Sequence, residues 1–227
     1  MADHHRYPAL MLSWLTPIYD LFVRLFMPEK QFKRDLIARA RIVAGHRVLD
    51  LGAGTGTLAI MIKQIQPDAQ ITGLDGDAEI LAIARDKAAR AGADITFDLG
   101  HAAALPYPAE SFDRVLSSLV MSLLSREDKQ LAVQEAYRVL RRGGELGIAD
   151  FGAPHTRWGR RVTPLMRRFE RMSDNLDGLL PAMFREAGFE NVEEVARFAT
   201  VFGTLSILYG RKGVSTSVIT SRGTAMW

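Results

Sequence analysis

The sequence predicts an α/β protein, a doubly wound Rossmann-like sheet that is mostly parallel. Three observations carry that prediction. Five short apolar runs lie between residues 47 and 150, most of them separated by helical patterns, as expected of parallel strands joined by right-handed crossovers. The first run leads directly into a glycine-rich turn, DLGAGTG at 50–56. After residue 150 two strand-like runs follow one another across a short link, so one of them must run antiparallel.

The elements follow in order. Thr16-Pro17 pairs an N-cap with a first-turn proline, and Ile18, Leu21, Phe22 and Leu25 recur at helical spacing before Pro28. A second helix is expected over about 31–43. Arg47 to Leu51 is the first strand, and Thr55 to Gln66 the helix after the glycines, ended by Pro67. Gln70 to Leu74, Ile95 to Asp98, Ser111 to Ser118 and Glu145 to Asp150 are the next four strands. Helices are expected over 78–91 and 128–141, the latter stopped by Gly143-Gly144. Residues 153–174 are Arg-rich and partly helical, and 177–187 is a further helix. Val192 to Phe198 and Gly203 to Tyr209 form the terminal hairpin. The expected organisation is a helical lid over 1–30, one ligand-binding domain over 31–212 and a loose tail over 213–227.

Composition bounds the function. The chain has 227 residues, 48% hydrophobic and 24% charged, which suits one globular domain. It has no cysteine, which excludes disulfides, thiolate metal sites and a cysteine nucleophile; no metal set is predicted. A net charge of +3 is too small to mark a nucleic-acid partner. Arg157, Arg160, Arg161, Arg167, Arg168 and Arg171 nevertheless cluster. They read either as a solvated helix face or as a patch for an anionic substrate or membrane surface. The apolar stretch from Tyr7 to Tyr19 is interrupted by Pro8 and Pro17, short of the roughly 20 residues of a span. Stable membrane insertion is therefore not expected, peripheral contact stays open, and the cytoplasm is the default location. The oligomeric state is not legible.

The strongest signal is VLDLGAGTGTLAI at 48–60. A buried strand delivers Asp50; Gly52, Ala53, Gly54, Thr55 and Gly56 form the turn; a helix starts at once. Such a loop lies at the carboxyl ends of the strands, where open α/β sheets bind ligands. A nicotinamide dinucleotide fingerprint wants glycine where this chain has Thr57, and a phosphate loop wants Gly-Lys-Ser/Thr. The pattern here is D-x-G-x-G-x-G. Its acid suits a cationic amino-acid ligand, whose ammonium Asp50 would meet directly or through the loop backbone. Asp75 closes the second strand, at the distance where an acid commonly holds ribose hydroxyls.

On these residues the chain resembles the class I methyltransferases that use S-adenosylmethionine, within the broad group of quinone-biosynthesis (UbiE-like) enzymes. VLDLGAGTG and GLDGDAEIL resemble that family's first two motifs, GHAAALPYPAESFDRVLSS its third block, and EAYRVLRRGGELGIAD the block ending in the fifth strand. IYD at 18–20 and GTLSILYGRK resemble the family's Tyr-Asp pair and its last strand. The resemblance implies seven strands with the last inserted antiparallel, and S-adenosyl-L-methionine as cofactor. It implies Asp75, with Gly76, at the ribose and Gly100, His101 and Ala102 beside adenine. Ser118 and Leu119 fall near the methionine end, and Tyr19 over the cofactor. The family usually carries an acid where this chain has His101, and proline where it has Arg142.

The implied activity is methyl transfer to a small, largely apolar or aromatic acceptor. The cofactor carries the chemistry and the protein supplies alignment and exclusion of water. A general base is needed only if the acceptor loses a proton; His155 is the candidate, and the other reading is a solvated loop histidine. Leu10, Trp14, Ile18, Leu21 and Leu25 form an apolar stripe that would roof the acceptor or simply pack on the domain. Three other readings remain: a phospholipid head-group N-methyltransferase, a Rossmann dehydrogenase, and a cofactor-binding partner protein without catalysis.

Overall fold

A computed structural model of the chain describes residues 29–214. The expected first helix with its stripe, Tyr19, and all but the start of the expected tail lie outside the described residues. Seven strands form one sheet: β1 (Arg47–Leu51), β2 (Gln70–Asp75), β3 (Thr96–Leu99), β4 (Phe112–Ser118), β5 (Leu140–Gly152), β6 (Phe189–Thr200) and β7 (Gly203–Lys212). Their spatial order is β3-β2-β1-β4-β5-β7-β6. The first five run parallel to one another, and β7 pairs antiparallel with both β5 and β6. The expected fold class is the one observed.

Helices cover both faces, so the central strands are buried on both sides and read as continuous apolar runs. Side chains alternate between faces along each strand. Val48, Leu116 and Ala149 join a core with α1 (Glu29–Ala40), α2 (Thr57–Ile65) and α3 (Ala78–Arg90). Leu49, Val115 and Ile148 join the opposite core with α4 (Arg126–Val139) and α7 (Leu180–Glu186). Phe32, Leu36, Leu49 and Phe184 are wholly buried, each contributing about 1.5–3 kcal/mol. Outermost β6 turns Glu190, Glu193 and Arg197 to solvent, charges that discourage edge-to-edge pairing.

Among the boundaries that differ from expectation, two have a clear cause in the packing. The helix expected over 128–141 ends at Val139, and β5 already includes Gly143-Gly144. Leu140 pairs with Phe112 before the register shifts to Arg114 and Glu145, and Arg141 holds Asp113 at 3.0 Å. Those contacts pull the segment into the sheet one turn early. The helix expected over 177–187 is divided. Gly178, at φ +72, separates α6 (Ser173–Leu176) from α7, which restarts on Pro181 in its first turn. The Arg-rich stretch after β5 forms α5 (Arg157–Met166), capped by the Thr156 hydroxyl accepting from Gly159 N–H at 2.9 Å.

Candidate cofactor site

The site is built at the carboxyl ends of β1, β2, β3 and β4. The turn after β1 is drawn across the end of β2, because Leu74 O accepts from both Gly52 N–H and Ala53 N–H, at 2.8 and 2.9 Å. Gly52 sits at φ +75, and a β-carbon there would lie 2.2 Å from Val120 Cγ2. Glycine is needed for both reasons. Gly54, at φ +52, differs: nothing lies within 4 Å of where its β-carbon would be. There the bare backbone faces open space, as close approach to a ligand requires.

Asp75 holds this turn in shape. Its Oδ2 accepts from Gly54 N–H at 2.8 Å and its Oδ1 from Asp77 N–H at 3.1 Å. Asp77 in turn caps α3, accepting from Glu79 and Ile80 N–H at 2.8 and 3.2 Å. Each Asp75 oxygen keeps a second acceptor direction, and the residue is half-buried, so ribose hydroxyls can still reach it. Gly100 N–H donates to Asp75 O at 3.0 Å, and a β-carbon on Gly76 would lie 3.7 Å from Gly100 O. The ends of β2 and β3 thus form one backbone-lined shelf beside the carboxylate.

Asp50 lies deeper than a direct ligand contact would need. Its strand period places it on the face of Val48, 1% exposed, with Oδ2 accepting from Ala59 N–H at 3.0 Å. The carboxylate satisfies an orphan N–H in the first turn of α2, beneath the glycine turn. Burial raises its pKa to about 7, against the opposing fields of Lys33 and the Ala59 hydrogen bond.

His101 is tied into its own turn. Its Nδ1 accepts from Ala103 N–H at 3.2 Å, so in the neutral ring Nε2 carries the proton and donates. A donor cannot receive the adenine amino group; it matches a ring nitrogen instead. Ala102 is 7% exposed and packs into the core with Leu74 and Leu105, so only its backbone can face a ligand. Ser118 ends β4 with a buried Oγ that has no hydrogen-bond partner. Leu119 follows at φ +60, a costly conformation for a branched side chain. Thr55 is exposed at the rim of the turn, and Gly56 is buried beneath it.

His155 is not brought to this group. Its Nδ1 lies 2.8 Å from Thr204 Oγ1 on β7, and its backbone N–H donates to the same oxygen at 3.2 Å. From β1 to β7 is three strand spacings, roughly 14 Å. Two clefts of about 300 Å³ lie elsewhere. One, lined by Arg47, Gln70 and Thr96, sits at the amino ends of the strands; the other lies beside Glu110, Arg142 and Lys212. Both are away from the ligand edge of a parallel sheet.

The residues fit S-adenosylmethionine and do not fit a pyrophosphate. Gly54 N–H, which a phosphate would need, is taken by a carboxylate. The Thr57 hydroxyl, where a dinucleotide loop wants glycine, receives Lys87 Nζ at 2.6 Å. The half-buried Asp75 carboxylate at this edge favours a cationic ligand, and the unpartnered Ser118 hydroxyl leaves a polar group for it.

Comparison with known proteins agrees. The family described as methyltransferase domain matches residues 48–144. A demethylmenaquinone methyltransferase of Thermus thermophilus is 38% identical over 146 residues, 63% of this chain and 66% of its own length. The chain thus spans just under two thirds of that relative. The ubiquinone/menaquinone biosynthesis C-methyltransferase UbiE of Stenotrophomonas maltophilia is 30% identical over 76% of this chain and 78% of its own. The chain belongs to the UbiE-like class I S-adenosylmethionine-dependent methyltransferases. The fold of this family is equally plain in the YcgJ protein of Bacillus subtilis, with a TM-score of 0.67 at 20% identity over 81% of this chain and 98% of that one.

Three features of this UbiE-like edge escaped the sequence reading. Asp150, closing β5, is 1% exposed and accepts from Ser122 N–H at 3.2 Å and Phe151 N–H at 2.7 Å. Burial raises its pKa. The signal was present: IAD ends an apolar run just as VLD and GLD do. Lys129, wholly buried, donates to Asp174 at 3.2 Å and to Arg171 O. Arg126 also pairs with Asp174, and together these groups fasten α6 over the edge. Burial works to raise the Asp174 carboxyl, but the hydrogen bonds from Arg126 and Lys129 outweigh it and hold its pKa low. Asn175, 1% exposed, has neither side-chain atom paired. No spacing rule marks such a residue.

Proposed function

We propose that this chain is a cytoplasmic enzyme that methylates a carbon of a small, largely apolar aromatic acceptor of the quinol class, using S-adenosylmethionine. The observation that carries the reading is the Asp75 carboxylate seated on Gly54 N–H, which bars a pyrophosphate and leaves acceptors for a ribose. The names of the two relatives support the acceptor class. When bound, the cofactor supplies a methyl group already activated on a sulfonium.

The chain's own residues bind and align. In this reading Asp75 takes the ribose hydroxyls, with Gly76 and Gly100 as the backbone floor beside it. Gly52, Ala53, Gly54, Thr55 and Gly56 form the bed for the amino-acid end, held by Asp50 from below. Ser118 and Leu119 border the methyl, and His101 and Ala102 the adenine. Proximity and alignment of this kind are worth up to roughly 7–11 kcal/mol. With the cofactor held there, these residues would align an acceptor ring carbon with its methyl group and keep water out, and the displaced ring proton would pass to solvent. His155 pins the loop after β5 through Thr204 and takes no proton in this scheme.

Asn175 is the group assigned to the acceptor. Its unpaired amide can accept from a ring hydroxyl or donate to a ring oxygen, and either bond would recover the cost of leaving it buried and alone. The test is a transfer assay with methyl-labelled cofactor and a short-tailed demethylmenaquinol. Label in the ring methyl group supports the reading. No transfer from a protein that still binds S-adenosylhomocysteine overturns it and leaves a cofactor-binding protein without this activity.

A further inference from the structure

The segment that covers the ligand edge after β5 carries an unusual surface. On α5 the buried side is Gly159, Thr163 and Met166. The opposite side carries Arg157 and Arg161 one turn apart. Trp158 and Leu165 lie two turns apart on the flank beside them. Trp158, Leu165 and Phe169 are 55, 58 and 61% exposed. Trp158 Nε1 donates to Val201 O at 3.1 Å, which ties the flank to the β6–β7 turn, where Val201 is itself exposed. Four large apolar side chains therefore face solvent on one edge of the molecule.

The charges beside them are of one sign. Between 157 and 171 stand six arginines and a single acid, Glu170. Arg167 pairs with Asp177 and Arg171 reaches Leu123 O at 3.1 Å. Arg157, Arg160, Arg161 and Arg168 are exposed and make no ion pair among the described residues. A solvated helix face explains arginines; it does not explain an exposed tryptophan, leucine and phenylalanine among them. A nucleic-acid surface would use the arginines and leave the aliphatic flank without purpose. Apolar side chains rimmed by unpaired cations match the interface of an anionic bilayer, with rings and aliphatics in the acyl boundary and guanidinium groups at the head groups.

We infer that α5, the turn that follows it and the β6–β7 turn form a docking surface for an anionic lipid membrane. β6 runs parallel to β5, so its turn lies at the same carboxyl edge as the glycine loop. Docking there turns the mouth of the cofactor site toward the bilayer. Resting on the proposed function, this gives the surface its use: an apolar aromatic acceptor dissolved in lipid reaches the methyl without crossing water. Among the described residues no helix is long and apolar enough to span a membrane, so the contact is peripheral.

Flotation of the full chain with vesicles tests it. Vesicles of phosphatidylcholine and phosphatidylglycerol in equal parts should carry the protein upward, and phosphatidylcholine alone should not. Raising NaCl from about 0.1 to about 0.5 M should release it, since screening shortens the reach of the arginines. Arg157→Glu with Arg161→Glu should lower the partition coefficient at least about tenfold. Leu165→Ala with Phe169→Ala should weaken it at either salt. Both variants should bind S-adenosylhomocysteine like the parent, which shows they are folded. No flotation with anionic vesicles, or flotation unchanged in both variants, overturns the inference. So does self-association in lipid-free buffer that the Leu165/Phe169 variant abolishes, since a second copy would then own the patch. Transfer to a short-tailed acceptor in solution is scored separately: flotation without transfer overturns the function and leaves the docking, and the reverse overturns the docking alone.

Discussion

Asp75 Oδ2 accepts the backbone N–H of Gly54 at 2.8 Å, so the acid that ends β2 and the glycine turn that follows β1 are one unit. Removing the carboxylate therefore removes a ligand group and a brace together. Asp75→Ala should weaken S-adenosylhomocysteine binding by about 1.5–3 kcal/mol, the range for hydrogen bonds to a charged group. Amide exchange at Gly54 should also quicken. Calorimetry and exchange by NMR read the two effects, and unchanged affinity in a folded variant would show that ribose is not held here.

Asp50 should make stability depend on pH. Its folded-state pKa of about 7 lies above the ordinary carboxylate value. As pH rises, the unfolded chain releases this proton first, and stability falls between about pH 4 and 7. Asp50→Asn keeps an acceptor for Ala59 N–H without the buried charge. It should be more stable than the parent by a few kcal/mol at about pH 8, with the gain vanishing near pH 4. Urea melts at both pH values measure this. A gain that grows toward acid pH would contradict the assignment.

His101 presents a donor, and the family's usual acid would present an acceptor. Asp in its place can still receive Ala103 N–H with one oxygen and the adenine amino group with the other. His101→Asp should therefore tighten S-adenosylhomocysteine binding by about 1–2 kcal/mol. Weaker binding in a folded variant would place adenine away from this loop.

Asn175→Leu separates function from stability. Replacing an unpaired buried amide by an apolar group of similar size should raise the melting temperature, while the acceptor KM rises and S-adenosylhomocysteine affinity holds. A rise in stability with an unchanged KM would leave Asn175 without a part in acceptor binding.

The cofactor edge was legible in the sequence because its residues are local. Asp50, the glycines and Asp75 each sit at a strand end that an apolar run announces. What the sequence concealed lies in contacts between distant segments. That Asp50 meets Ala59 N–H follows from strand period plus the position of α2. The His101 tautomer depends on one backbone N–H two residues on. Lys129 meeting Asp174, 45 residues away, and the orphaned amide of Asn175 follow from how the cover segment packs, which no motif encodes. The Arg-rich run was visible, and two readings of it were left open. The exposure of Trp158, Leu165 and Phe169 beside it is what distinguishes a surface for lipid from a solvated face.

The Asp75 carboxylate at the end of β2, seated on the glycine turn, selects a sulfonium nucleoside over a pyrophosphate. That selection does not depend on the acceptor, so titration calorimetry of the full chain with S-adenosylmethionine, S-adenosylhomocysteine and NAD tests it most directly. Saturable heats are expected for the first two and none for NAD. Tight NAD binding, with no heat from S-adenosylmethionine, would contradict it.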